Sequence, residues 1–149
     1  MSGEVMPTPL TAQVAVLNTD GAKVALAAAE AKARADGLKV SISVVDAFGN
    51  LIAFLRLDGA PLSTVEASLA KARTAAKFGF PSKVFEDVLN GGNVSMLAFT
   101  DSVCPSQGGV PVIAGAVCVG GVGGSGGSGE EDERVAQAGA DGLVAALQG

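Results

Sequence analysis

From Gly108 to Gly139 the chain reads GGVPVIAGAVCVGGVGGSGGSGEEDERVAQAG, and no other stretch restricts the fold as strongly. Val110 to Val122 is small and β-branched, a composition that favours strand. The glycines that follow predict a break, and Ser128 with the acidic block Glu130–Glu133 predicts a helix start. Strand, glycine turn and helix N-terminus together make a natural cradle for an anion or a flat ligand. Gly121-Val122-Gly123-Gly124-Ser125-Gly126 also spells G-x-G-x-x-G. A dinucleotide site needs a further strand and a ribose-binding acid, and the roughly 25 residues that follow leave no room for them. The expectation is therefore a glycine bend where sheet and helix pack closely, with backbone N–H groups offered to a ligand.

Composition narrows the classes. The 149 residues suit one domain with a real core. Residues 1–9, with two prolines, read as a loose arm, and 10–149 as the domain. Much of the 48% hydrophobic content is alanine and valine, so helices and strands should approach closely. No run reaches the ~20 apolar residues of a membrane span, and none has a leader layout, which predicts a cytoplasmic protein. The net charge of -5 is uneven: residues 91–149 hold six acids and a single base, Arg134. Without a basic footprint, nucleic-acid binding is excluded. The absence of histidine excludes Ser-His-Asp, Cys-His and histidine-ligated metal chemistry. Acids in a first helical turn are favoured by the helix dipole alone, so Glu130–Glu133 predicts no metal site. Cys104 and Cys118 read as buried or half-buried free thiols.

Along the chain, a first helix runs to Asp36, starting at Thr11 or at Thr19, with Val14, Leu17, Gly21, Val24, Ala28 and Ala31 as its apolar stripe. Leu38–Ala47 alternates as a half-buried strand, Phe48-Gly49-Asn50 turns, and Leu51–Leu57 returns antiparallel. Asp58-Gly59-Ala60-Pro61 forms a second turn. Ser63 and Glu66 have capping-box spacing before a helix that ends near Phe78-Gly79. Glu66, Arg73 and Lys77 share one flank of it, and Lys71 lies on another. A short helix over Ser82–Leu89, a strand over Val94–Thr100, a loop over Asp101–Gly109 and one or two strands over Val110–Val122 follow. Ser128 and Glu131 form a second capping box that opens a helix to Leu147. About five strands and four helices with hairpin links make an α+β fold.

These blocks resemble the GlcG/HbpS-like proteins. The resemblance spans residues 10–147 and rests on SVVDAFGNLIAFLRLDGAP, with Asp46, Gly49, Arg56, Asp58, Gly59 and Ala60. It continues through KARTAAKF (Lys71, Ala72, Thr74, Ala75), Gly108-Gly109-Val110-Pro111, the glycine run through Ser125-Gly126, and Glu131-Asp132 with Ala136 and Gly139. It implies a three-layer α/β/α domain around a central antiparallel sheet, assembled into homo-oligomers with ligand grooves near subunit contacts. It also implies a small-molecule ligand, haem or another planar cofactor. Arg56 and Lys71 would meet its carboxylates, and Gly109, Pro111, Ser125 and Gly126 would approach its face. Some haem-binding relatives use a histidine ligand. Here the iron would fall to an oxygen ligand such as Thr74 or Thr100, to Met96, or to a cysteine thiolate. Two further expectations stand beside this one. A cofactor-independent lyase or isomerase of a small organic acid would use Asp46, Asp58, Glu131 or Asp132 as base and Lys71 as cationic stabiliser. An accessory subunit would dock a partner protein through the acidic C-terminal face.

Overall fold

A computed structural model describes residues 3–99 and 102–149. The elements run α1 (Thr19–Ala35), β1 (Ser41–Asp46), β2 (Leu51–Arg56), α2 (Ser63–Phe78), α3 (Lys83–Asn90), a 3₁₀ helix (Val94–Phe99), β3 (Gly109–Ala114), β4 (Val117–Ser125) and α4 (Gly129–Gln148). The sheet has the order β2-β1-β4-β3, and every pair is antiparallel. β1 shows how the layers form. Ile42 and Val44 point into a core shared with Ala25 and Ala29 of α1 and Val135 and Leu143 of α4. Ser41 and Ser43 point the other way, where their hydroxyls meet Thr64 and Ser68 of α2 at 2.8 Å each. The expected α/β/α sandwich is thus formed, with both faces of β1 buried rather than one, because α2 covers the serine face and satisfies its hydroxyls.

Four strands are present among the described residues, not five. The apolar residues from Val94 form the 3₁₀ helix, and Thr100 lies outside the described residues. The β3 edge is met at its first residue, Gly109, by Ser82: the Gly109 carbonyl accepts from Ser82 N at 2.9 Å and its N–H donates to Ser82 Oγ at 2.8 Å, and the rest of that edge is free among the described residues.

The glycine run gives the larger correction. β4 does not break at Val122; it continues through Gly123 and Gly124 to Ser125, and the chain bends only at Gly126. The reason is the closeness of α2. A Cβ on Gly121 would sit 2.6 Å from Ala72 O, and one on Gly123 would overlap Ser68 O outright. Val122, between them, faces the opposite layer and is fully buried. Glycine here is a steric requirement of helix–sheet packing, not a turn signal.

The helices follow the same logic. α1 takes the later of its two expected starts, capped by Asn18, whose side chain accepts from Gly21 N at 2.9 Å. Its buried face is Ala22, Ala25, Ala29 and Ala33 rather than the expected stripe, and Val24 is exposed. A Cβ on Gly139 of α4 would lie 2.9 Å from Ala25 O, so only methyl-sized side chains fit between these helices. The capping box expected at Ser63 and Glu66 does not form. Leu62 already has helical geometry, and the first-turn N–H groups of Thr64 and Val65 bond to the Pro61 and Leu62 carbonyls. The box at α4 does form: Ser128 N donates to Glu131 Oε1 at 2.9 Å, and Glu131 N donates to Ser128 Oγ at 3.2 Å. These bonds from Ser128 hold the Glu131 carboxyl below its ordinary value. Among the described residues, no helix is long and apolar enough to cross a membrane.

Candidate functional site

The residues singled out from the sequence separate into several places. At the start of α4, Lys71 of α2 reaches round the end of the sheet to Asp132, Nζ to Oδ2 at 3.1 Å. The ammonium also donates to Gly124 O at 3.2 Å, and Asp132 Oδ1 accepts from Gly127 N at 2.8 Å. Lys71 is 5% exposed and Asp132 2%. Gly109 belongs to this cluster, since a Cβ there would overlap Lys71 O. The cluster ties the two helical layers together. The N–H groups of Gly127 and Ser128, expected to face a ligand, are taken by the carboxylates of Asp132 and Glu131.

Asp46 sits at the far end of β1. Asp46 pairs with Gly120 while Ser41 pairs with Ser125, which puts Asp46 about 17 Å along the strand from the Lys71–Asp132 end. Its carboxylate closes the hairpin turn, accepting from Phe48 N at 2.9 Å and Asn50 N at 3.0 Å. Arg56 Nη1 donates to Ala60 O at 3.1 Å, bracing the second turn. Asp58 lines a shallow groove with Arg34 and Lys39. Ser125 ends β4 beside β1, and a Cβ on Gly126, which follows it, would collide with the Lys39 backbone. Pro111 lines another groove, between the free edge of β3 and α4, with Ile113 and Gln137. No one groove unites these candidates among the described residues.

A different pair of depressions does join chemically distinct groups. One is an apolar slot of about 140 Å³ walled by Phe78, Phe85, Met96, Phe99 and Val103, where α2 ends and α3 packs against the 3₁₀ helix. The Phe78 and Phe85 rings stand 4.7 Å apart at 57°. The other is a small polar groove on the same side of α2, where Arg73, Thr74 and Lys77 face Ser102, Val103 and Cys104. Val103 lines both, and Lys77 and Phe78 are consecutive, so slot and groove adjoin. The slot was hidden in the sequence because Val94–Thr100 reads as strand, which would scatter Met96 and Phe99 to a sheet. Arg73 and Lys77 were visible as a helix flank, but without a facing wall.

The groups able to hold an iron differ in availability. Thr74 is 1% exposed and its hydroxyl is committed, donating to Ala70 O at 2.9 Å and accepting from Cys104 N at 2.7 Å. Burial pushes the Cys104 thiol up, against the pull of the Lys71 ammonium, which keeps it protonated near neutral pH. Burial likewise raises Cys118, whose Sγ lies 3.3 Å from Gly120 O on the other side of α2. Both thiols are free and half-buried. Met96 lines the slot. Thr100 lies outside them.

The chain is similar to known proteins over nearly its whole length. The family described as haem degrading protein HbpS-like matches residues 17–141. Protein GlcG of Escherichia coli strain K12 is 34% identical over 107 residues, covering 72% of this chain and 79% of that protein. Among solved structures, a double mutant of Streptomyces reticuli HbpS superposes with a TM-score of 0.82 at 32% identity, covering 95% of this chain and 96% of that one. The PduOC:haem complex superposes with a TM-score of 0.76 at 27% identity, over 85% of this chain and 94% of that one.

Proposed function

This chain belongs to the HbpS-like family, and on that premise we propose that it is a small-molecule-binding protein whose ligand is haem or a similar planar cofactor. The observation that carries the reading is the apolar slot. It is walled by three phenylalanines, a methionine and a valine, and it lies next to a polar groove. A flat hydrophobic ring system gains there by leaving water and by edge and face contacts with the aromatic rings. The residues present fit haem: Met96 supplies a soft thioether of the kind that serves as an axial ligand. Bound haem would supply the iron chemistry; the chain's own part is to desolvate the ring and to present sulfur.

Lacking Tyr and Trp, the protein is nearly transparent near 280 nm, so haemin titration reads cleanly. Native protein is expected to give a saturable, sharpened Soret band. Met96→Leu keeps the apolar volume but should shift the band, and Phe85→Asp should abolish saturable binding. A haemin spectrum unchanged by native protein overturns the proposal.

The slot's volume also bears on assembly. Ligand pockets are typically about 300–1,000 Å³, so a slot of this size encloses one edge of a porphyrin and leaves the rest outside. The segments that form it also expose apolar side chains: Phe80, Val84, Val88, Val94 and Leu97. α3 is strongly amphipathic yet buries no residue within the chain. We read this apolar surface as the contact with a second copy, which completes the site and makes the protein a homo-oligomer. Sedimentation of native protein is expected to show a dimer or larger species, and Val94→Asp with Leu97→Asp should release monomer. A native protein that sediments as monomer at micromolar concentration overturns that assignment.

A further inference from the structure

We propose that the polar groove is a carboxylate-recognition subsite, so that the protein selects planar ligands carrying an anionic edge; this rests on the slot being the ligand's ring site. Arg73 and Lys77 lie one turn apart on α2 and both are exposed on the groove. Neither has a carboxylate within 4.0 Å among the described residues. In a chain of net charge -5, the described lining of the groove carries these two positive charges and no carboxylate.

The two cations are also positioned. Arg73 Nε donates to Gly49 O at 2.9 Å, which holds the side chain against the β1–β2 turn. Both of its Nη groups remain without a hydrogen bond among the described residues. The Lys77 stem lies over the same turn, since a Cβ on Gly49 would sit 2.8 Å from Lys77 Cε. Gly49 has φ +85°, so the turn that seats both side chains requires a residue free of that Cβ. A guanidinium pinned through Nε presents its terminal nitrogens with little rotamer entropy left to lose, which favours forked binding of a carboxylate.

Adjacency to the slot gives the ligand its orientation in this proposal. A ring held between Phe78, Phe85 and Val103 would bring its edge to the shared wall, and Lys77, Ser102 and Arg73 line the groove beyond it. An aromatic acid or a porphyrin with carboxylate side chains satisfies both halves. A neutral ring satisfies one. The tilt of two cations at a helix's later turns toward its dipole would account for charge alone. It does not account for Arg73, which sits mid-helix and is tied to a different element.

The test compares haemin with haemin dimethyl ester, in which both carboxylates are masked. Native protein is expected to prefer haemin by about tenfold or more, the scale of one charge-assisted hydrogen bond. Arg73→Gln with Lys77→Gln should bind both at the ester's affinity, with a melting temperature lowered by no more than the loss of the Arg73–Gly49 bond accounts for. Lys77→Gln alone, which leaves the Arg73–Gly49 bond intact, should lose part of the preference. Equal binding of haemin and its ester by native protein overturns the carboxylate subsite while the slot stands. Binding of neither overturns both.

Discussion

Asp132→Ala is expected to destabilise the protein by about 3–5 kcal/mol, the range for removing one partner of a buried ion pair. The carboxylate is buried and serves two donors, Lys71 Nζ through Oδ2 and Gly127 N through Oδ1. Alanine would leave the Lys71 ammonium enclosed with Gly124 O as its remaining partner among the described residues, and would leave the Gly127 N–H without its acceptor. Domain stabilities are commonly about 5–15 kcal/mol, so this one change removes a large share. The loss comes from an uncompensated charge rather than from a missing attraction. Lys71→Met combined with Asp132→Asn should therefore recover most of it: the ammonium is gone, and the amide oxygen still accepts from Gly127 N. Urea unfolding followed by circular dichroism measures both. A single-variant loss under about 1 kcal/mol, the range of exposed pairs, would show that water reaches the pair.

Gly123→Ala is expected to cost at least as much as severe overpacking, about 3 kcal/mol or more. The added Cβ would overlap Ser68 O and lie 2.7 Å from Ala72 N, and both are backbone atoms of α2. A flexible side chain can swing aside; a helix backbone moves only as a unit. Lifting α2 would also separate the Ser43–Ser68 hydroxyl pair, now at 2.8 Å, in a buried layer. Gly115→Ala is the comparison. Its φ is +65° and no atom lies within 4 Å of the added carbon, so only the conformational penalty of about 1 kcal/mol applies. Melting temperatures that fall equally for the two variants would refute the steric account of the glycine run.

The two predictions mark where reading the sequence succeeds and where it stops. The β1–β2 hairpin, the α4 capping box and the end of α2 at Gly79 were legible, and the later start of α1 was legible as the alternative to Thr11. Each is decided by bonds spanning a few residues: Asp46 to Asn50, Ser128 to Glu131, Gly79 N to Ala75 O, Asn18 to Gly21. The family was legible too, because several motif blocks occur in order. What misled was any pattern whose meaning lies across the fold. A glycine run is ambiguous between turn and strand until the neighbouring layer is known, and here that neighbour, α2, lies some fifty residues earlier. The apolar residues from Val94 resemble a strand, but they form a 3₁₀ helix, and the start of the β3 edge is taken by Ser82.

The candidate site divides in the same way. Lys71 reads as an isolated helix lysine, because its partner Asp132 is 61 positions away and nothing local announces it. Arg73 and Lys77 are visible as a cationic flank, but the wall that turns a flank into a groove comes from Ser102 to Cys104, on another segment. The sequence by itself determined the α+β class, the family, the caps and turns, and the chemistry left open to a chain without histidine. Tertiary structure alone decided which glycines face a helix, which lysine is buried and which cations line a groove. Short-range hydrogen bonds are encoded by adjacent residues, whereas burial and steric clearance belong to whatever other segment packs there.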